Sequence, residues 1–217
     1  MKILGIIPAR GGSKGIPKKN IKRLHGEPLI SYSIKTALAS KLDRVIVSTD
    51  CKEIATISRD YGSEVIMRPP SLSADKTSTL PVIQDVVAKL DEKFDAVMTL
   101  QPTSPFRSIN DINKCIEIFC SDKEADSLVS IVEVPHNFMP EKLMTLNGKY
   151  LTGNNQILQR QDISTKYARN GSAIIITKTE KLSEFIFGGN TLPYVMSKLT
   201  SIDIDDMDDW EMAEKLF

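Results

Sequence analysis

Lys2–Asn20 reads KILGIIPARGGSKGIPKKN, and this stretch decides the fold class. Ile3–Pro8 is a short, continuous apolar run, the pattern of a strand buried on both faces. Pro8 ends it. The chain then opens into Ala9-Arg10-Gly11-Gly12-Ser13-Lys14-Gly15, with Lys18 and Lys19 close behind. Glycines let a backbone approach an anion and turn its N–H groups toward it. Arg10, Lys14, Lys18 and Lys19 add the positive charge that a polyphosphate requires. Two well-known phosphate loops do not fit. Lys14 precedes Gly15 and no Gly-Lys-Ser follows, so this is not a Walker A loop. Gly11 and Gly12 are adjacent, so the dinucleotide G-x-G-x-x-G is absent.

Beyond the loop, apolar strand-like runs recur at 44–48 (RVIVS), 64–67, 96–100 (AVMTL), 127–132 (SLVSIV) and 173–177 (AIIIT). Helical periodicity fills the gaps, at about 28–40, 52–61, 80–90, 109–119 and 209–217. Strand then helix, repeated, predicts an α/β domain, doubly wound and Rossmann-like, with a mostly parallel sheet. Ligands of such sheets sit at the carboxyl ends of the strands. At 217 residues the chain is expected to form a single domain, 1–217. Residues 135–166 break the rhythm: they are polar, with turn signals at Asn147-Gly148 and Gly153-Asn154, and are too long for a casual loop.

Composition narrows the function classes. Lysine plus arginine equals aspartate plus glutamate, 28 each, so no overall field points to nucleic acid or a membrane. No apolar stretch reaches the roughly 20 residues of a membrane-spanning helix, and the first residues lack a signal-peptide pattern. Cys51, Cys115 and Cys120 have no C-x-x-C spacing and read as reduced thiols of a cytoplasmic protein.

Three other segments carry candidate chemistry. Ser48-Thr49-Asp50 follows the second long strand; with Glu53 three positions beyond Asp50, it reads as a helix N-cap with a capping-box partner. Gln101-Pro102-Thr103-Ser104-Pro105 follows another strand, and its prolines stiffen the loop and leave the Gln101 amide able to hydrogen-bond a hydroxylated ligand. In Ser201-Ile202-Asp203-Ile204-Asp205, strand alternation sends both isoleucines to the core and both aspartates to one face. Two carboxylates so close call for a cation, and Mg²⁺ with substrate phosphates suits one or two of them. Asp208 before Trp210-Glu211 reads as the cap of the last helix. His25 and His136 have no partner pattern and read as structural or surface groups.

Arg10, Ser13, Lys14, Gly15, Lys19 and Asn20 stand in register with A-R-x-x-S-K-G-x-x-x-K-N. On them the chain resembles the CMP-sialic acid synthetase (acylneuraminate cytidylyltransferase) family, and the resemblance runs from Ile3 to about Trp210. The 100–107 segment (LQPTSPFR) resembles the family's L-Q-P-T-S-P-x-R block. Arg68-Pro69 with 75–79 resembles its R-P…D-x-x-S-[ST] segment, with Thr79 where some members have serine. Asp203-Ile204-Asp205 resembles its D-I-D metal motif, and Asn170-Gly171 its N-G before a strand. Where members often have arginine two residues before that asparagine, Ala168 stands here, with Arg169 beside it.

The resemblance implies a nucleotide-diphospho-sugar transferase type of fold, in which CTP and an acidic nine-carbon 3-deoxy-2-ulosonic acid give the CMP-sugar and pyrophosphate. It implies nucleotide contacts from Ala9, Arg10, Gly11, Ser13, Lys14, Lys19 and Asn20, and from Arg68 and Thr79. Sugar contacts would come from Gln101, Arg160, Arg169 and Asn170. Arg10 and Lys14, with Mg²⁺ on Asp203 and Asp205, would carry the chemistry. Residues 135–166 would be an inserted dimerisation and sugar-site arm, making the protein a homodimer. A transferase for the eight-carbon sugar acid Kdo is the nearest rival, but Lys18-Lys19-Asn20-Ile21 stands where that family tends to carry Pro-Gly-Lys-Pro. A non-catalytic nucleotide-binding protein on the same fold is the other alternative.

Overall fold

In the computed structural model, residues 1–74, 76–153 and 164–217 are described. A mixed sheet forms the centre. Its strands are β1 (Ile3–Pro8), β4 (Arg44–Thr49), β5 (Glu64–Met67), β6 (Ala96–Thr99), β7 (Ser127–Glu133), β10 (Tyr167–Arg169), β11 (Ile175–Lys178) and β12 (Thr191–Met196). Across the sheet the order is β5-β4-β1-β6-β11-β7-β12, and β10 lies beyond β11 along the same side of β7. All neighbours are parallel except β10 and β11, which run against β6 and β7.

The helices are α1 (Leu29–Leu38), α2 (Lys52–Asp60), α3 (Thr79–Ala88), α4 (Ile109–Ser121) and α5 (Met207–Leu216). Side-chain alternation assigns them to faces. Ile3 and Ile7 of β1, with Val45, Val47 and Met98, pack on α1, α2 and α4. Leu4 and Ile6, with Ile46 and Val97, pack on α3 and Leu182. The continuous apolar strands are therefore buried on both faces, which is why they show no polar alternation. A third cluster joins Ile16 and Leu24 to Ile204, Trp210 and Ala213, tying α5 to the loop after β1.

The expected long strands and helices form, with ends shifted by a few residues. Several elements went unread. β12 contains Pro193, which an edge strand paired only to β7 accommodates. The short ladder β2 (Arg23–Leu24) with β3 (Glu27–Pro28) turns the chain into α1. In the 135–166 stretch, β8 (Met144–Asn147) and β9 (Tyr150–Gly153) form a separate two-stranded hairpin, every residue of it exposed.

Three local readings are corrected. Residues 201–205 form no strand; Ile204 is held instead by its N–H on the Thr103 carbonyl at 2.8 Å. Asp206, not Asp208, caps α5, and Asp209 completes its capping box. The N-cap residue of α2 is Cys51, with no side-chain cap, so neither Asp50 nor Glu53 serves that end. Glu53 pairs with Lys18 at 2.7 Å.

Candidate active site

β1, β4, β5 and β6 are parallel, so the loops after them leave from one side of the sheet. There they enclose a cleft of about 440 Å³. One wall is the basic loop, with Arg10, Ser13, Lys14, Gly15, Lys19 and Asn20. Further wall comes from Arg68, residues 72–74 and the entry to α3 from Thr77 to Thr79. Gln101, Pro102 and Thr103 come from the loop after β6, and Asp205 closes the rim.

Local forces shape the basic loop. The Ala9 N–H prolongs the β1–β4 ladder onto the Ser48 carbonyl at 2.9 Å. A β-carbon on Gly11 would fall 2.8 Å from Cβ of Cys51, so only glycine fits. The Gly11 N–H donates to Asp50 Oδ1 at 3.0 Å. Asn20 is nearly buried, and its Nδ2 donates to the Arg10 carbonyl at 3.0 Å, folding the loop back on itself. Lys18 turns to Glu53 and is absent from the cleft wall.

The far end of the chain meets this loop. Lys19 Nζ donates to the Ile204 carbonyl at 2.6 Å and lies 3.5 Å from Asp205 Oδ1. Gly15 has no room for a side chain, because a β-carbon would overlap the Asp205 carbonyl oxygen.

The two aspartates differ sharply. The Asp205 side chain is open to solvent. The Asp203 carboxyl is pushed up to about 6, chiefly by burial; a hydrogen bond from Thr103 opposes the shift and the charge of Asp205 adds to it. Asp203 Oδ1 is buried with no hydrogen-bond partner. Gly171, at φ +63°, passes so near that a β-carbon there would overlap this carboxylate.

Arg68 is buried, and desolvation holds its guanidinium below the ordinary arginine range. Its Nε donates to Ser73 Oγ at 2.9 Å. Thr79 opens α3, whose first turn has no side-chain cap and so leaves backbone donors at the cleft. Of the sugar-side residues, Gln101 lines the cleft. Asn170 is buried: its Oδ1 accepts from Ser130 at 2.7 Å and its Nδ2 donates to Ser201 at 3.0 Å. Arg169 lies outside the cleft wall, over the Phe187 ring. Arg160 falls outside the described residues.

Sequence reasoning missed Arg107. It is fully buried, and burial pulls its pKa down to about 10. It donates to the Ala173 carbonyl at 2.6 Å, the Gln101 carbonyl at 3.2 Å and Ser33 Oγ at 2.6 Å. One planar cation thus fixes the Gln101 backbone to α1 and to the entry of β11. The arginine was visible in the motif, but its partners lie 66 and 74 residues away.

A family model described as "Cytidylyltransferase" matches residues 4–185. The chain is similar to the N-acylneuraminate cytidylyltransferase of Escherichia coli O18:K1:H7, 33% identical over 98% of this chain and 51% of that protein. It therefore spans about half the length of that relative. It is also similar to CMP-N,N'-diacetyllegionaminic acid synthase of Legionella pneumophila, 34% identical over 100% of this chain and 96% of that one. Among solved structures, "CMP:2-keto-3-deoxy-manno-octonic acid synthetase complexed with CTP" superposes with a TM-score of 0.79 at 17% identity, covering 100% of this chain and 98% of that one. That likeness establishes a shared fold.

Proposed function

The chain belongs to the cytidylyltransferase family, and from that premise we propose that it transfers the cytidylyl group of CTP to a nine-carbon 3-deoxy-2-ulosonic acid. The anomeric oxygen of the sugar forms a bond to the α-phosphorus as the bond to the bridging oxygen of the β-phosphate breaks. The hydroxyl gives up its proton to solvent and pyrophosphate leaves. No protein nucleophile is needed, so catalysis consists of positioning and charge neutralisation. Arg10 and Lys14 bind the triphosphate and stabilise the departing pyrophosphate. Lys19 is held at the junction of the two chain ends. Arg68, Thr79 and Asn20 take the nucleoside side, with the backbone of Ala9, Gly11 and Ser13 shaping the loop.

The residues present fit Mg²⁺. The buried Asp203 Oδ1 has no hydrogen-bond partner and the Asp205 carboxylate two residues on faces solvent, so both have oxygens to offer a hard cation. Among the described residues no cluster of three or more metal-ligating side chains exists; two carboxylates plus phosphate oxygens and water suffice for Mg²⁺. Asp203 and Asp205 would hold it, and there it would act as a Lewis acid on the phosphates. The sugar falls to Gln101, Arg169 and Asn170, with Arg160 as a further candidate.

We assign the exposed β8–β9 hairpin, with Leu146, Tyr150 and Leu151 open to solvent, to a homodimer contact. The three cysteines are unpaired, in keeping with a reducing cytoplasm. Among the described residues no helix is long and apolar enough to cross a membrane.

The observation that carries the reading is the meeting of the basic loop with Ile204 and Asp205 at one cleft. Pyrophosphate release tests it, with CTP, Mg²⁺ and a panel of nonulosonic acids, Kdo included, against ATP, GTP and UTP. Pyrophosphate appears with CTP and a nine-carbon acid. Release from no combination, or only with another nucleotide, refutes the reading.

A further inference from the structure

Three neighbouring parallel strands, β1, β4 and β5, end side by side, and each delivers a group to one spot. β1 leads to Arg10 and Gly11, β4 to Asp50, and β5 to Arg68. Asp50 Oδ1 accepts the Gly11 N–H at 3.0 Å and lies 3.8 Å from Arg68 Nη2. The Arg68 N–H in turn donates to the Thr49 carbonyl at 2.9 Å, which fixes the two loops relative to each other. Arg10 and burial both disfavour the charge on Arg68, and Asp50 supports it. One carboxylate thus meets the Arg68 guanidinium and a loop amide, on the same guanidinium that feels the charge of Arg10.

We propose that Asp50 is a positioning residue for the nucleotide, holding the Gly11 amide and the Arg68 guanidinium in their bound arrangement before the triphosphate arrives. This rests on the cytidylyl-transfer reading above. Asp50 and Gly11 are both absent from the cleft wall, so Asp50 acts through Arg68, which lines it, and through the loop course that Gly11 sets between Arg10 and Ser13. Its usefulness is not obvious from charge. A carboxylate beside a polyanion site repels the ligand, so charge alone predicts tighter triphosphate binding once it is removed. Positioning predicts the opposite. Without Asp50, Arg68 loses its counter-charge beside Arg10 and the Gly11 amide loses its acceptor. The loop must then be ordered at the expense of binding. The sign of the change separates the two effects.

The experiment is calorimetric titration of CTP with Mg²⁺ into the wild-type protein, Asp50→Ala and Asp50→Asn, each checked by thermal melting. Asp50→Ala raises Kd about tenfold with stoichiometry unchanged, the scale of one lost hydrogen bond to a charged group. Asp50→Asn keeps an acceptor for Gly11 and recovers part of the loss, to about threefold. A role in folding alone would lower the binding stoichiometry and leave Kd where it was. That result, or a tighter Kd, overturns the proposal. Should Asp50→Ala fail to fold, Asp50→Asn decides, and a wild-type Kd there overturns it equally. Wild-type protein that binds no CTP removes the functional reading itself, whereas wild-type binding with unaltered variants removes only the role of Asp50.

Discussion

The α-carbon of Gly15 lies against the carbonyl oxygen of Asp205, close enough that a β-carbon would overlap it. Both sides of this contact belong to the wall of the cleft, and the obstacle is backbone, which cannot rotate aside. Gly15→Ala therefore shifts Asp205 away from Lys19. Overpacking of this kind costs about 1–3 kcal/mol, or roughly 2–10 °C in Tm for a chain of this size. Calorimetry and CTP titration together check it: Tm falls and CTP binding weakens. An unaltered Kd would show that the contact does not shape the cleft.

Arg10→Ala leaves the fold intact and lowers turnover roughly 10²–10³-fold, the scale of removing one donor aimed at developing charge. Steady-state pyrophosphate release is the measurement. Near-normal turnover in a folded variant would take Arg10 out of the chemistry.

Asp203→Asn trades activity for stability. Burial raises the folded pKa of Asp203 to about 6, above its unfolded value, so in the metal-free protein the charged form opposes folding. That penalty is absent below about pH 4, grows as pH climbs through the folded value, and is complete above it. In chelator at pH 8 the variant melts roughly 2–8 °C higher than wild type. At pH 4 the gain vanishes, and at every pH Mg²⁺-dependent activity is lost. A variant that melts lower at pH 8 would contradict the burial argument.

Arg107→Met removes the cation that satisfies Ala173, Gln101 and Ser33. The Gln101 carbonyl keeps Ser33 Oγ at 3.3 Å and the Ser104 N–H at 3.4 Å, but the Ala173 carbonyl is stranded, at a cost of about 2 kcal/mol or more. Arg107→Lys recovers little, since a single ammonium cannot span the same fork. Urea unfolding gives both values, and a loss under 1 kcal/mol for the methionine variant would refute the assignment.

Leu146→Asp places a charge on the exposed apolar hairpin. Sedimentation then shows the wild type as a dimer and the variant as a monomer. A wild-type monomer, or a dimer untouched by the change, rules out β8–β9 as the contact.

The core of this fold was legible because its strands are doubly buried. Ile3–Pro8 and Ala96–Thr99 read as continuous apolar runs whatever else surrounds them. β12 was not legible: it carries Pro193, and its residues alternate between exposed and half-covered, which suits an edge but resembles a loop. The basic loop and Gln101 declared themselves through residue type, and the structure gathers them at one cleft. The strand expected to aim Asp203 and Asp205 together does not form, and of the two Asp205 lines the cleft wall while Asp203 does not. Tertiary bonds, such as Ile204 to Thr103, set their directions rather than strand alternation. Asp50 illustrates the limit: sequence neighbours suggested a helix cap, while its actual partners, Gly11 and Arg68, lie on other loops. Distant pairings of that kind leave no periodic trace.

The contact of Lys19 with Ile204 spans 185 positions. During translation the cationic wall is therefore made well before the Asp205 rim, by the 185 positions that separate them. A nascent chain can begin to assemble its strands in the meantime, but it holds one wall of the cleft without the rim. The cleft is complete only once synthesis has passed Asp205.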